Sequence, residues 1–144
     1  MSRIHHVNIR IVDAERSVAF YRALGLEITG TLALAPGYTL LFMGEQPGGE
    51  VALELVLNET TDSAYDRSVG SGHVGVEVDD LHATLATLAA MGVVPEGAPA
   101  HPGDRNDLGL VAFVRDPDGV RVELLQSPWP IPQDALPEAL ASIH

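Results

Sequence analysis

The first half of this 144-residue chain is written again in the second. HVNIRIVD, beginning at His6, returns as HVGVEVDD from His73, with Asp13 answering Asp80. In both copies a Gly followed by an apolar residue stands at the same distance from the histidine, as Gly25-Leu26 and Gly92-Val93. Each copy closes on a similar strand, VALELVL around Glu54 and VRVELLQ around Glu123. Such self-similarity constrains the fold before any single residue is considered, because whatever one half builds the other must build too.

The period inside a copy identifies its parts. Val7, Ile9 and Ile11 alternate with His6, Asn8 and Arg10, the spacing of a half-buried strand. From Ala14 to Leu24 the apolar stripe Val18, Phe20, Tyr21 and Leu24 follows a helical spacing, with Asp13 to cap it and Gly25 to stop it. The second copy offers Asp79 or Asp80 as cap, the stripe Leu81, Leu85, Leu88 and Met91, and Gly92 as stop. Turns at Pro36-Gly37, Pro47-Gly48-Gly49 and Asp116-Pro117-Asp118-Gly119 divide the remaining strands. The pattern predicts an α+β fold of two tandem βαβββ modules, 4–58 and 73–126, whose curved mixed sheets surround a cleft within a single domain 1–126. The stretch Pro95 to Gly109 is the longest expected loop and a candidate border of a site. A proline-rich tail, 127–144, with a short helix around Ala135 to Ile143, is expected to pack against a partner, cover the cleft or hang loose.

Composition removes several classes of function. Eight basic against twenty acidic residues leave a net charge of −12, the wrong sign for a phosphate backbone, so no nucleic-acid partner is expected. The longest uncharged run is broken by Gly30, Pro36 and Gly37, so no membrane span is expected either. With no cysteine there is neither a disulfide framework nor a thiolate metal site. A cytoplasmic enzyme or binding protein acting on small molecules is what remains.

Polar residues on the strands then stand out. Val51, Leu53, Leu55 and Leu57 share one face of their strand, which puts Glu54 mid-strand on the other. Glu123 is placed the same way opposite Val120, Val122 and Leu124, and His73 and Glu77 lie opposite Val74, Val76 and Val78. A carboxylate in an apolar strand is costly unless solvated, paired or coordinated, and it occurs at matching points of both copies. Two imidazoles and two carboxylates, His6, Glu54, His73 and Glu123, suit a divalent metal with positions left open for substrate. His5 is the rival of His6, but it falls on the apolar face and has no counterpart in the second copy. His82, His101 and His144 read as solvated surface residues.

HVNIRIVDAERSVAFYRALGL, ALELVLN, GHVGVEVDD and AFVRDPDGVRVELL together resemble the vicinal oxygen chelate superfamily over roughly residues 4–126, and within it the compact bacterial glyoxalase I (lactoylglutathione lyase) family. The resemblance implies a metalloenzyme of methylglyoxal detoxification. It would isomerise the hemithioacetal of a 2-oxoaldehyde and a low-molecular-weight thiol, glutathione or another, to a 2-hydroxyacyl thioester. It also implies metal ligands His6, Glu54, His73 and Glu123, nickel or cobalt rather than zinc, and Glu123 as base with Glu54 opposite it. Arg10 and Asn58 would hold the carboxylate of the thiol, Arg105 is a substitute anion contact, and a homodimer would carry its sites at the subunit interface. The Trp-Gly usual after Asn58 is replaced by Glu59-Thr60, and AHPGDRNDLG stands where a basic Gly-rich segment is usual. Other members remain as alternatives: a CoA-thioester epimerase, which usually carries Gln at the position of Glu54, a secondary-metabolite enzyme, or a non-catalytic antibiotic-sequestering protein.

Overall fold

The computed structural model describes residues 2–23, 25–59, 70–115, 117 and 119–143. Leu24, Thr60, Asp116, Asp118 and His144, all named above, lie outside the described residues. Among the described residues no helix is long and apolar enough to cross a membrane. The chain forms two compact units, one of residues 7–72 and 131–144, the other of residues 1–6 and 73–130.

In the first unit the elements are β1 (Arg3–Ile11, here from Val7 onward), α1 (Ala14–Ala23), β2 (Glu27–Ala35), β3 (Tyr38–Gly44) and β4 (Leu53–Asn58). Strand order is β2-β3-β4-β1, antiparallel except for the parallel β1–β4 pair. Asp13 caps α1 by accepting from the backbone N–H of Arg16 at 3.0 Å, and Gly25, at φ +94°, ends it in a conformation other residues avoid. Ala14 and Val18 bury against Leu41, Met43, Leu55 and Leu57, with Ile9, Ile11 and Tyr21 alongside. Phe20, expected in this stripe, is 60% exposed. The core-facing positions 14, 18 and 21 are spaced by four and three, and residue 20, two on from Val18, falls on the far side of the wheel.

From Ile131 onward the tail docks onto this same unit. Thr31 N–H donates to Pro132 O at 2.9 Å, the N–H of Asp134 donates to Thr31 O, and Arg22 Nη1 donates to Ile143 O at 2.7 Å. Ile143, in a 3-10 turn from Glu138 to Ile143, is buried with Leu136 and Leu140 beside the α1 core. This part of the tail therefore completes the core of the first module within its own chain.

In the second unit β5 (Gly70–Val78, here from His73), α2 (Leu81–Ala90), β6 (Val111–Arg115) and β7 (Arg121–Gln126) follow in turn. Their order is β5-β7-β6, with β5–β7 parallel and β6–β7 antiparallel. Asp80, not Asp79, caps α2 through Ala83 N–H at 3.0 Å. Leu81, Leu85 and Leu88 pack on Val78, Val114 and Leu124. Met91 sits at the C-cap and is exposed, and Val120 lies before β7 and is half exposed, so neither joins the core as expected.

The second module also falls one strand short of βαβββ. Among the described residues between α2 and β6, where a strand is expected, Ala100 forms an isolated bridge to Val111 and the N–H of Glu96 donates to Phe113 O at 2.8 Å, followed by a 3-10 turn from Pro102 to Asp104. Pro99 and Pro102 flank Ala100 and have no N–H to give a ladder.

Candidate metal centre

In the second unit residues from both sequence repeats meet. The parallel register sets Val74 beside Val122 and Gly75 beside Glu123, so His73, Gly75 and Glu123 share the face turned away from α2. The His6 ring lies over Gly75: a Cβ built there would come within 2.5 Å of His6 Cε1 and 2.9 Å of Nε2. Gly75 is thus the clearance that lets His6 in. His6 Nε2 stands 3.0 Å from His73 Nε2 and 3.4 Å from Glu123 Oε2, and His73 Nε2 is 2.7 Å from the same oxygen. All three side chains are buried, His6 to 1% exposure.

In the first unit Asn8 is register partner of Glu54 and Arg10 of Val56. Asn8, Arg10, Glu54, Val56 and Asn58 therefore share the face opposite Ile9, Leu55 and Leu57. Glu54 is buried and accepts a hydrogen bond from Asn8 Nδ2 at 2.6 Å. Asn58 ends β4, half-buried.

A second layer backs the histidines. His6 Nδ1 is 2.8 Å from His5 Nδ1, and His5 Nε2 is 4.0 Å from Glu77 Oε2. Arg3 Nε donates to Glu77 Oε1 at 3.1 Å, and the N–H of Trp129 donates to Oε2 at 3.3 Å. His73 meets the ring of Phe113 edge-on, centroids 5.4 Å apart. Arg121 stacks on that ring at 3.8 Å and donates to Glu96 at 2.9 Å.

The electrostatics follow from this packing. Burial alone would raise the Glu123 carboxyl, but hydrogen bonds from His6 and His73 outweigh it and bring it down to about 2. Glu123 is therefore a carboxylate at neutral pH. Burial, reinforced by the neighbouring His6, lowers His5 to about 4, so that ring is neutral. A neutral imidazole has one N–H and one lone pair, and two Nε2 atoms 3.0 Å apart against one carboxylate oxygen form a buried donor set turned on a single point. A divalent cation fits there, since imidazole and carboxylate are both good ligands for such ions.

His5, expected on the apolar face, is 5% exposed and touches His6. His101 is half-buried, its Nδ1 2.7 Å from Leu108 O, and with Ala100, Pro102 and Phe113 it lines a cavity of about 180 Å³ beside the 95–109 loop. His82 is exposed as expected. Arg105 closes its guanidinium onto Asp107 with two hydrogen bonds of 2.8 and 2.7 Å, so its fork is engaged within its own turn. His6, His73 and Glu123 come together within one chain, and no second subunit is needed to assemble these three donors. The sequence reading passed over Asn8, Gly75, Glu77 and Phe113. Glu77 carried the signal already used for Glu54 and Glu123, a carboxylate among strand valines.

Residues 3–124 match the model of the Glyoxalase/Bleomycin resistance protein/Dioxygenase superfamily. The chain is 34% identical over 130 residues to a lactoylglutathione lyase of Haemophilus influenzae, covering 87% of this chain and 93% of that one. It is 35% identical over 127 residues to a probable lactoylglutathione lyase of Synechocystis, covering 85% and 93%. Among solved structures it is similar to methylmalonyl-CoA epimerase of Streptomyces coelicolor in complex with 2-nitronate-propionyl-CoA, with TM-score 0.68, 25% identity and coverage of 88% and 97%.

Proposed function

Since the chain belongs to the Glyoxalase/Bleomycin resistance protein/Dioxygenase superfamily, we propose that it is a glyoxalase I-like metalloenzyme acting on hemithioacetals of methylglyoxal or related 2-oxoaldehydes. The observation that carries this reading is the buried convergence of His6, His73 and Glu123. Glu54 is the fourth ligand of the proposal. It is tied by Asn8 to β1, the strand that also bears His6 two residues earlier on the same face. A bound divalent metal would hold the two adjacent substrate oxygens and act as a Lewis acid.

The chain's own part is proton transfer. Glu123, ionised and buried, takes the proton from the carbon bearing sulfur, and the proton is delivered to the neighbouring carbonyl carbon. The hydroxyl hydrogen passes from the oxygen of the carbon bearing sulfur to the former ketone oxygen, so the alcohol carbon becomes the thioester carbonyl and the ketone carbon the new alcohol; atoms balance and nothing is oxidised overall. Glu54 faces the substrate from the opposite side. Arg10 and Asn58, on the Glu54 face, would bind a carboxylate of the thiol, glutathione or another small thiol. Arg105 would first have to leave Asp107. Nickel or cobalt is the expected metal, and a homodimer the expected assembly.

A CoA-thioester epimerase is the second reading, favoured by the structural similarity to the Streptomyces enzyme. The test is metal content per chain after dialysis against nickel, cobalt and zinc, with a Glu54→Ala, Glu123→Ala variant alongside, followed by assays of hemithioacetals and methylmalonyl-CoA. About one metal per chain, lost in the variant, with hemithioacetal turnover supports the proposal. Metal-free wild type overturns the metalloenzyme reading, and turnover of the CoA thioester alone selects the epimerase.

A further inference from the structure

We propose that His5 and Glu77 form a built-in relay that fixes the tautomer of His6, making both positioning residues for the metal centre; this rests on the metalloenzyme reading above. For His6 to give a metal the lone pair of Nε2, the nitrogen that faces His73 and otherwise donates to Glu123, its single ring hydrogen must move to Nδ1. That hydrogen needs an acceptor, and the atom 2.8 Å away is His5 Nδ1. An imidazole that accepts at Nδ1 carries its own hydrogen on Nε2. Glu77 Oε2 stands 4.0 Å from that nitrogen.

The arrangement is ordered from end to end. Glu77 is 7% exposed although it is a carboxylate in a valine-rich strand, a position that costs free energy unless it is satisfied. Arg3 Nε, Ser127 Oγ and the backbone N–H of Trp129 all donate to it. Those three bonds hold the carboxylate in place, with Oε2 4.0 Å from His5 Nε2. The sequence Glu77, His5, His6 thus places an acidic anchor behind a ligand imidazole, the outer support that sets the tautomer and raises the basicity of metal-binding histidines. Here it passes through an intervening imidazole. The device accounts for the His5-His6 pair, which the sequence repeat does not, because the second copy has Gly72 before His73.

The test is metal affinity, read by competition with a chromophoric chelator, for wild type, His5→Gln, His5→Phe and Glu77→Gln, with circular dichroism to confirm the fold. His5→Phe keeps a ring but cannot accept, and loses roughly 10- to 100-fold in affinity. His5→Gln offers a carbonyl oxygen to His6 Nδ1–H and recovers most of the loss, which a purely space-filling role would not give. Equal affinity in folded His5→Phe and wild type overturns the relay, as does equal loss in His5→Gln and His5→Phe. Should His5→Phe fail to fold, ¹⁵N histidine spectra of the metal-loaded wild type decide. A hydrogen on His6 Nδ1 and on His5 Nε2 supports the relay, and a hydrogen on His5 Nδ1 refutes it. A wild type that binds no metal at all sinks the metalloenzyme reading instead, so the two failures are distinguishable.

Discussion

Replacing Gly75 with alanine tests the centre at the point where the backbone makes room for it. The added Cβ would sit 2.5 Å from His6 Cε1 and 2.6 Å from Nδ1, about 0.9 Å inside the 3.4 Å at which ordinary van der Waals contact begins. The ring cannot swing into solvent, because it is 1% exposed and held between His5, His73 and Glu123. Either β5 or the His6 ring must therefore shift by something near that shortfall. Overpacking of a buried site costs typically 1–3 kcal/mol, which for a chain this size lowers the melting temperature by roughly 4–12 °C. A displacement of about 1 Å in a ligand is worth on the order of 100-fold where function depends on geometry. The expected outcome is a folded Gly75→Ala protein that melts earlier and binds nickel or cobalt at least tenfold more weakly, read by thermal denaturation and chelator competition. A variant with wild-type metal affinity would show that the His6 ring does not lie over Gly75 in the working protein, and the description of the centre would fail with it.

Glu123→Gln retains the metal but loses at least a hundredfold in turnover, measured by the rate of thioester formation; near-normal turnover removes Glu123 as base. Ile143→Ala, at a buried site near the chain end, destabilises the protein by about 2 kcal/mol in denaturant unfolding, and no change would mean that the tail does not pack on α1. Arg105→Ala leaves metal binding and melting within error, since its bonds to Asp107 are exposed; a large loss of substrate affinity would restore its anion role. Metal content stays at one per chain when dilution converts a dimer to monomers, followed by analytical ultracentrifugation with metal analysis, and loss of metal on dissociation would assign a ligand to the partner subunit.

What the sequence made legible followed from periodicity. Two-residue alternation placed Ile9, Leu55 and Leu124 inward and His6, Glu54 and Glu123 on the other faces, and the structure keeps those faces. Spacing also supplied Asp13 as a cap, Asp79 or Asp80 as the other, of which the structure takes Asp80, and Gly25 and Gly92 as stops. Phe20, Met91 and Val120 were misplaced because a stripe predicts a face but not where an element ends or which flank of the wheel is covered. The missing strand before β6 turned on Pro99 and Pro102, single residues that override a repeat of otherwise matching design.

The repeat was least informative where its two copies differ, and there the structure says most. Position 5 is histidine in one copy while its counterpart is Gly72, and position 8 is asparagine where the other has Gly75. Each glycine makes space for a side chain of the first copy: a Cβ at Gly75 would strike the His6 ring, and one at Gly72 would strike Asn8 Oδ1. Asn8, so admitted, is the residue that holds Glu54. The asymmetry between copies is thus a fitting of large against small, in which the second copy gives up side chains so that the first can place an imidazole and an amide beside the carboxylates. A symmetric sequence with alanine at both glycines would keep the apolar faces and the helix caps and lose the centre.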